Sequence, residues 1–243
     1  AAKKIDVIGG GDWKLPESAM PAAGGSMNPI ALPSKTNFFE NAAAMAISGT
    51  GRYAAVGYTC NPPGKDARST TTVVVCDLAE GLSLGSGVVE GELPVPIAIH
   101  DSRPEVLMRR NQRGVSDQDC LETWTIGSSG VSRGMKWTPY ANEKDRNRNV
   151  KWAAYLDEHR LATCSSGGRL AIWDAETTRP ICYLDIKGRP ALSPDRKHLA
   201  FLVEGQVGVL DVEGQKVVAL QPAPVSGGVL AFTPSGNRIV ALN

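Results

Sequence analysis

The 243-residue sequence is short of several things, and each absence removes a class of protein. Its five cysteines, Cys60, Cys76, Cys120, Cys164 and Cys182, are odd in number and include no C-x-x-C pair. That spacing suggests neither a zinc site nor a disulfide framework; it fits small apolar residues beside strands in a reducing compartment. No stretch approaches the ~18 consecutive apolar residues of a membrane span, so no membrane partner is expected. Neither sign of charge dominates. With 26 Lys+Arg against 25 Asp+Glu the formal net charge is +1, too weak a field to make nucleic acid the expected partner. The opening AAKKIDVIGGGDW lacks the apolar core of a signal peptide, and the expected location is the cytoplasm. Motifs of catalysis are missing too: there is no G-x-S-x-G, H-E-x-x-H, P-loop or G-x-G-x-x-G. The run IGGGDW (8–13) is a glycine turn with no helix after it, so it is not read as a phosphate cradle.

What is present is a repeat. LDEHRLATCSSGGRLAIWD (156–174) has the order polar turn, apolar strand, small glycine turn, apolar strand, Asp. LSPDRKHLAFLVEGQVGVLD (192–211) has the same order, with Ile172-Trp173-Asp174 matching Val209-Leu210-Asp211 at an offset of 37. FTPSGNRIVAL (232–242) repeats the turn and strand, because Ser193-Pro194 and Thr233-Pro234 lie 40 apart. Upstream, ISGTGRYAAVG (47–57) with TVVVCD (72–77) forms another copy. A further copy is AIHDSRPEVLM (98–108) with CLETWTIG (120–127), in which Thr125 stands where Asp would be. These runs are rich in Val, Ile, Leu and Ala and are bounded by Gly, Pro, Ser and Asp, which is strand and turn chemistry. The helix-compatible window ENAAAMAIS (40–48) reads better as the inner strand of the first unit. A period of ~40 residues with four strands each predicts an all-β β-propeller of four-stranded blades.

On these residues the chain resembles WD40-repeat proteins over about residues 42–243, best in the units ending Trp173-Asp174 and Leu210-Asp211. The Gly-His dipeptide of that family is absent, since His100, His159 and His198 each lack a preceding Gly, so the resemblance is to a WD40-like propeller. In a blade, the third strand sends alternate residues into the two neighbouring interfaces, so Trp173 is expected to fill such a wedge. Asp174 is expected to accept backbone N–H groups in the turn that follows. Both roles are structural.

Four complete units are expected at approximately 42–90, 95–140, 150–185 and 187–221, with two strands of a fifth before Asn243, which makes about five blades. Residues 1–41 form an N-terminal segment, and 42–243 the propeller repeats. Two arrangements follow. KIDVIG (4–9) and NPIALPSK (28–35), joined by a Pro/Gly-rich connection, supply the closing strands of the last blade; or the chain is part of a larger ring completed by further blades, from a longer chain or another one.

The three histidines fall near equivalent places in successive units, and repeated positions on radiating blades form a wide ring that cannot converge on one ion at zinc distances of about 2 Å. No metal, cofactor or catalytic residue is therefore expected. The informative features are three polar insertions: YTCNPPGKDARSTT (58–71), RRNQRGVSDQDC (109–120) and YANEKDRNRN (140–149). Loops joining second to third strands share a rim with those leading into the next blade, and such loops on a rigid scaffold carry function. Lys65, Arg68, Arg109, Arg110, Arg113, Arg146 and Arg148 make that rim a candidate partner-binding surface, with Asp66, Asp117, Asp119, Glu143 and Asp145 interleaved. The expected function is a non-enzymatic propeller scaffold for protein or peptide partners. The alternative is a propeller-class enzyme, lactonase-like or quinoprotein-like, with a metal or cofactor in the central channel.

Overall fold

The computed structural model describes residues 6–8, 39–61, 68–90, 94–112, 118–144, 147–223 and 228–242. Two compact units divide the chain, one of residues 30–185 and one of residues 1–29 with 186–243. Strand β1 (Asp6–Ile8) belongs to the second of these. The first unit holds three antiparallel four-stranded meanders. The first is β2 (Phe39–Ile47), β3 (Tyr53–Asn61), β4 (Thr70–Asp77) and β5 (Leu82–Glu90). The second is β6 (Val95–Ile99), β7 (Glu105–Gln112), β8 (Gln118–Gly127) and β9 (Gly130–Trp137). The third is β10 (Val150–Tyr155), β11 (Arg160–Ser165), β12 (Arg169–Asp174) and β13 (Pro180–Asp185).

The other unit holds a fourth meander, β14 (Lys187–Leu192), β15 (His198–Val203), β16 (Gln206–Asp211) and β17 (Lys216–Pro222). It also holds β18 (Val229–Phe232) paired antiparallel with β19 (Arg238–Leu242), and β1 lies parallel to β19. The meanders are the blades of a β-propeller, and the window 40–48 is strand as far as Ile47, as its sequence reads. The run 28–35 lies outside the described residues. No helix among the described residues is long and apolar enough to cross a membrane.

Period-two alternation builds the packing inside the first unit. Val106 and Met108 of β7 join Ala46, Val73 and Val75 of the first blade in one cluster. Leu107, between them, faces the other way into a cluster with Ala153, Leu161 and Trp173 of the third blade. One strand thus feeds two interfaces, and the inner strands β2, β6 and β10 touch in succession. The third strands are buried on both faces, as in β4, whereas the fourth, such as β9, are largely open to solvent.

Turn chemistry repeats as well. Asp77, Asp174 and Asp211 each accept a backbone N–H two residues on, and the first two a second one three residues on. That is the work expected of the Asp in the Trp-Asp pair. Thr125 sits in the same register opposite Glu105, and there β8 runs on to Gly127 before closing on Gly130, whose φ of 110° needs glycine. No acceptor is needed in a hairpin this short.

Glycine also sets how closely two blades approach. A Cβ on Gly85 would stand 2.3 Å from the Gly127 carbonyl oxygen, and one on Gly87 2.0 Å from Val131 Cγ2. A backbone oxygen cannot swing aside. Gly85→Ala is therefore expected to cost about 1–3 kcal/mol, the range for overpacking, read as a lower denaturant midpoint. An unchanged midpoint would mean that β5 does not lie against the second blade.

Candidate functional site

The second and third insertions come together in the first unit, through backbone and buried polar groups rather than free charge. Asp119, at the start of β8, is only 2% exposed, and its Oδ2 accepts the Val150 N–H at 2.6 Å. Its own N–H reaches the Arg148 carbonyl at 3.3 Å. Arg109 donates to the Val150 carbonyl at 2.8 Å, so both polar groups of Val150 are taken by the second blade. On the third blade, the Ser166 N–H reaches the Asn149 carbonyl at 2.7 Å, and Arg169 pairs with Glu143 at 2.8 Å. Two insertions and the β11–β12 turn thus form one stitched surface.

This geometry sorts the candidate cations. Arg109 is held as above, Arg110 pairs with buried Glu122, and Arg148 donates to the Glu143 carbonyl at 2.7 Å. Arg68 is exposed. Lys65, Arg113 and Arg146 lie outside the described residues, as do Asp66, Asp117 and Asp145. The stretch 140–149 opens differently from its polar reading. Tyr140 is 2% exposed, and its hydroxyl meets Thr163 Oγ1 at 2.7 Å and donates to the Arg169 carbonyl at 2.9 Å. Burial pushes that hydroxyl well above the usual phenol range. The indole N–H of Trp173 donates to the same Thr163 oxygen at 2.8 Å, so one hydroxyl ties the connecting loop, the second strand and the third strand of the blade.

A second feature occupies the opposite edge of the same two blades, where first-to-second and third-to-fourth strand turns lie. A cleft of about 390 Å³ is lined by Arg103, Glu105, Thr123, Met135, Glu158 and Glu176, among others. Glu158, from the β10–β11 turn, accepts from Ser102 at 2.6 Å and pairs with Arg103, which also pairs with Glu105 at 3.1 Å. The Ser102 hydroxyl holds the Glu158 carboxyl below the usual range. Behind them His100 is 2% exposed, edge-on to Tyr155 with ring centroids 5.0 Å apart. Its Nδ1 accepts the Ser102 N–H at 3.2 Å, and its Nε2 faces Glu158 Oε2 at 3.5 Å.

The sequence reading placed the three histidines together by period, and the structure separates them by environment. His159 has a side chain 75% exposed and His198 one 28% exposed, whereas that of His100 is 3% exposed. The cleft was missed because its charges come from short turns rather than insertions. The available signal was Asp101-Ser102-Arg103 after His100, in a turn that opens Ser-Gly in the first blade and Ser-Pro in the fourth.

No protein-family model matches the chain, and no curated protein matches it. Among solved structures the chain is similar to the C-terminal WD40 domain of Sif2, at 12% identity and a TM-score of 0.49, over 82% of this chain. The chain spans 65% of the length of that structure, which is of the class that the repeat resembles.

Proposed function

We propose that this chain is a non-enzymatic propeller scaffold that binds a protein or peptide partner through loops on one rim. The observation that carries the reading is the stitching of Asp119, Arg109 and Arg148 around Val150. Loops anchored in this way at their described ends have less to order on binding, which lowers its entropic cost. The non-enzymatic part is supported by the place where Ser, His and Glu meet. Ser102 Oγ lies 3.2 Å from His100 Nδ1 but donates to Glu158 at the shorter 2.6 Å, and the same Nδ1 accepts the Ser102 N–H, so the hydroxyl proton is directed to the carboxylate rather than to the ring. The free thiols Cys76, Cys120 and Cys164 are buried, which suits a reducing cytoplasm.

The test is a peptide selected from a display library on the full chain, titrated against wild type and the triple variant Arg68→Glu, Arg113→Glu, Arg146→Glu. The inward-turned arginines at 109, 110 and 148 are left intact. Affinity is expected to fall at least about tenfold, or 1.4 kcal/mol, with the melting temperature unchanged. Binding that survives the triple charge reversal overturns the rim as the site, and robust turnover of a lactone or an alcohol substrate overturns the scaffold reading.

A further inference from the structure

The turn between first and second strands is closed in the same way in four sheets. Ser48, His100, Ser193 and Thr233 each donate their N–H to a carbonyl five residues on, at 2.8–3.0 Å. In the first and fourth blades the side chain completes the turn: the Ser48 and Ser193 hydroxyls accept the N–H of Tyr53 and His198 at 3.0 and 2.9 Å. A hydroxyl does not titrate in the working range of a protein. The second blade places an imidazole at this position, and its turn is tied on both sides, to the first blade through Asp101, which accepts the Thr50 N–H at 3.2 Å, and to the third through Ser102 and Arg103 to Glu158.

We propose that His100 is a proton-operated latch on the cleft between the second and third blades, closed when the ring is neutral and released when it is protonated. With Nδ1 accepting the Ser102 N–H, the ring proton of neutral His100 is on Nε2, toward Glu158. A second proton must go on Nδ1, where it opposes the Ser102 N–H and ends one of the hydrogen bonds of the turn, leaving Ser102 Oγ at 3.2 Å as its acceptor. The charged groups around the ring are Asp101 and Arg103 of its own turn, Glu105 of β7 and Glu158 of the β10–β11 turn; Tyr155 of β10 packs edge-on against it. Burial disfavours the cation and Arg103 adds to this; Glu158, Glu105 and Asp101 oppose it without prevailing, so the ring titrates below the ordinary histidine range. The cation is better solvated outside the protein than in this site. The turn therefore swings out on protonation, and it carries Ser102 and Arg103 away from Glu158, opening the cleft that Arg103 and Glu158 line.

The sign follows from linkage. The folded-state pKa lies below the unfolded value near 6.5, so the open form binds more protons. The closed form holds at neutral pH and loses ground as pH falls through 6.5 toward the depressed folded pKa. Within that window the open population rises about tenfold per pH unit.

The experiment uses the full chain. A side-chain NMR titration is expected to give His100 a midpoint below 6.5, the ordinary histidine value. Amide exchange at Ser102 and Glu105, corrected for intrinsic chemistry, is expected to rise about tenfold per pH unit in the window. In His100→Ser, the residue the first and fourth blades use, that rise is expected to vanish while protection at pH 7.5 is kept. A His100 midpoint at or above 6.5 overturns the proposal in wild type alone, whether or not the variant folds. So does a pH-dependent rise in exchange that persists in His100→Ser. The readout lies on the edge opposite the insertions, so failure here leaves the rim reading standing, and the reverse.

Discussion

Trp173→Ala is expected to destabilise the first unit by about 3–5 kcal/mol, the range for emptying a large aromatic from a core. The side chain is 4% exposed and is ringed by Trp137, Tyr140 and Tyr183 at centroid distances of 6.5, 6.3 and 6.0 Å. Those neighbours come from the second blade, the connecting loop and the outer strand of the third, so the cavity opens where three elements meet and none can collapse into it alone. Deletion also strips the Thr163 hydroxyl of one of its two side-chain partners, leaving Tyr140. Trp173→Phe separates the two contributions. It keeps most of the aromatic volume and loses the N–H, and should cost about 1–3 kcal/mol. Chemical denaturation of both variants is the measurement. A loss under about 1 kcal/mol for the Ala variant would mean that Trp173 does not fill the wedge between blades.

The Trp-Asp pair shows which features a sequence exposes and which it hides. Strand and turn positions were legible because both are local. Asp174 takes the N–H groups of Glu176 and Thr177, two and three residues on, and the Thr177 N–H and hydroxyl hold its carboxyl below the usual range. Nothing beyond the tetrapeptide is required. Blade bounds were legible for the same reason: the unit expected at 150–185 is bounded by β10 and β13 at those residues.

Partners across a blade interface were not legible. Tyr140 and Asp119 sit in polar stretches, and only the opposing blade makes one a buried anchor and the other a buried acceptor. Arg109 and Arg110 read as rim charge, yet their partners, the Val150 carbonyl and Glu122, are set by packing and pairing that no local pattern announces. Val229 errs in the other direction. Beside Leu230 in one apolar run it is 59% exposed while Leu230 is 5% exposed, because the pleat of β18 turns alternate residues outward.

Removing residues 1–9 is expected to lower the melting temperature of the second unit by about 12–24 °C and to reduce solubility. The deleted stretch contains β1, whose Asp6, Val7 and Ile8 pair with Arg238, Ile239 and Val240. Without it, β18 and β19 are a two-stranded hairpin, which is marginal by itself. Loss of hydrogen bonds at about 1 kcal/mol each over three paired residues accounts for the shift, at about 4–8 °C per kcal/mol for a unit of this size. The solubility effect has a separate cause. The edge of β19 that faced β1 becomes a row of unpaired N–H and C=O groups, a template for another chain. Ile239 and Ala241 on that strand are fully buried against Leu202, Val207 and Val209, so fraying of the hairpin would open this core as well. The control is a deletion within 10–27, which lies outside the described residues; Pro16, Pro21, Gly24 and Gly25 mark it as connection. Shortening there should leave both melting and solubility near the parent values. If the 1–9 deletion melts and dissolves like the parent, the pairing of β1 with β19 does not contribute to the fold.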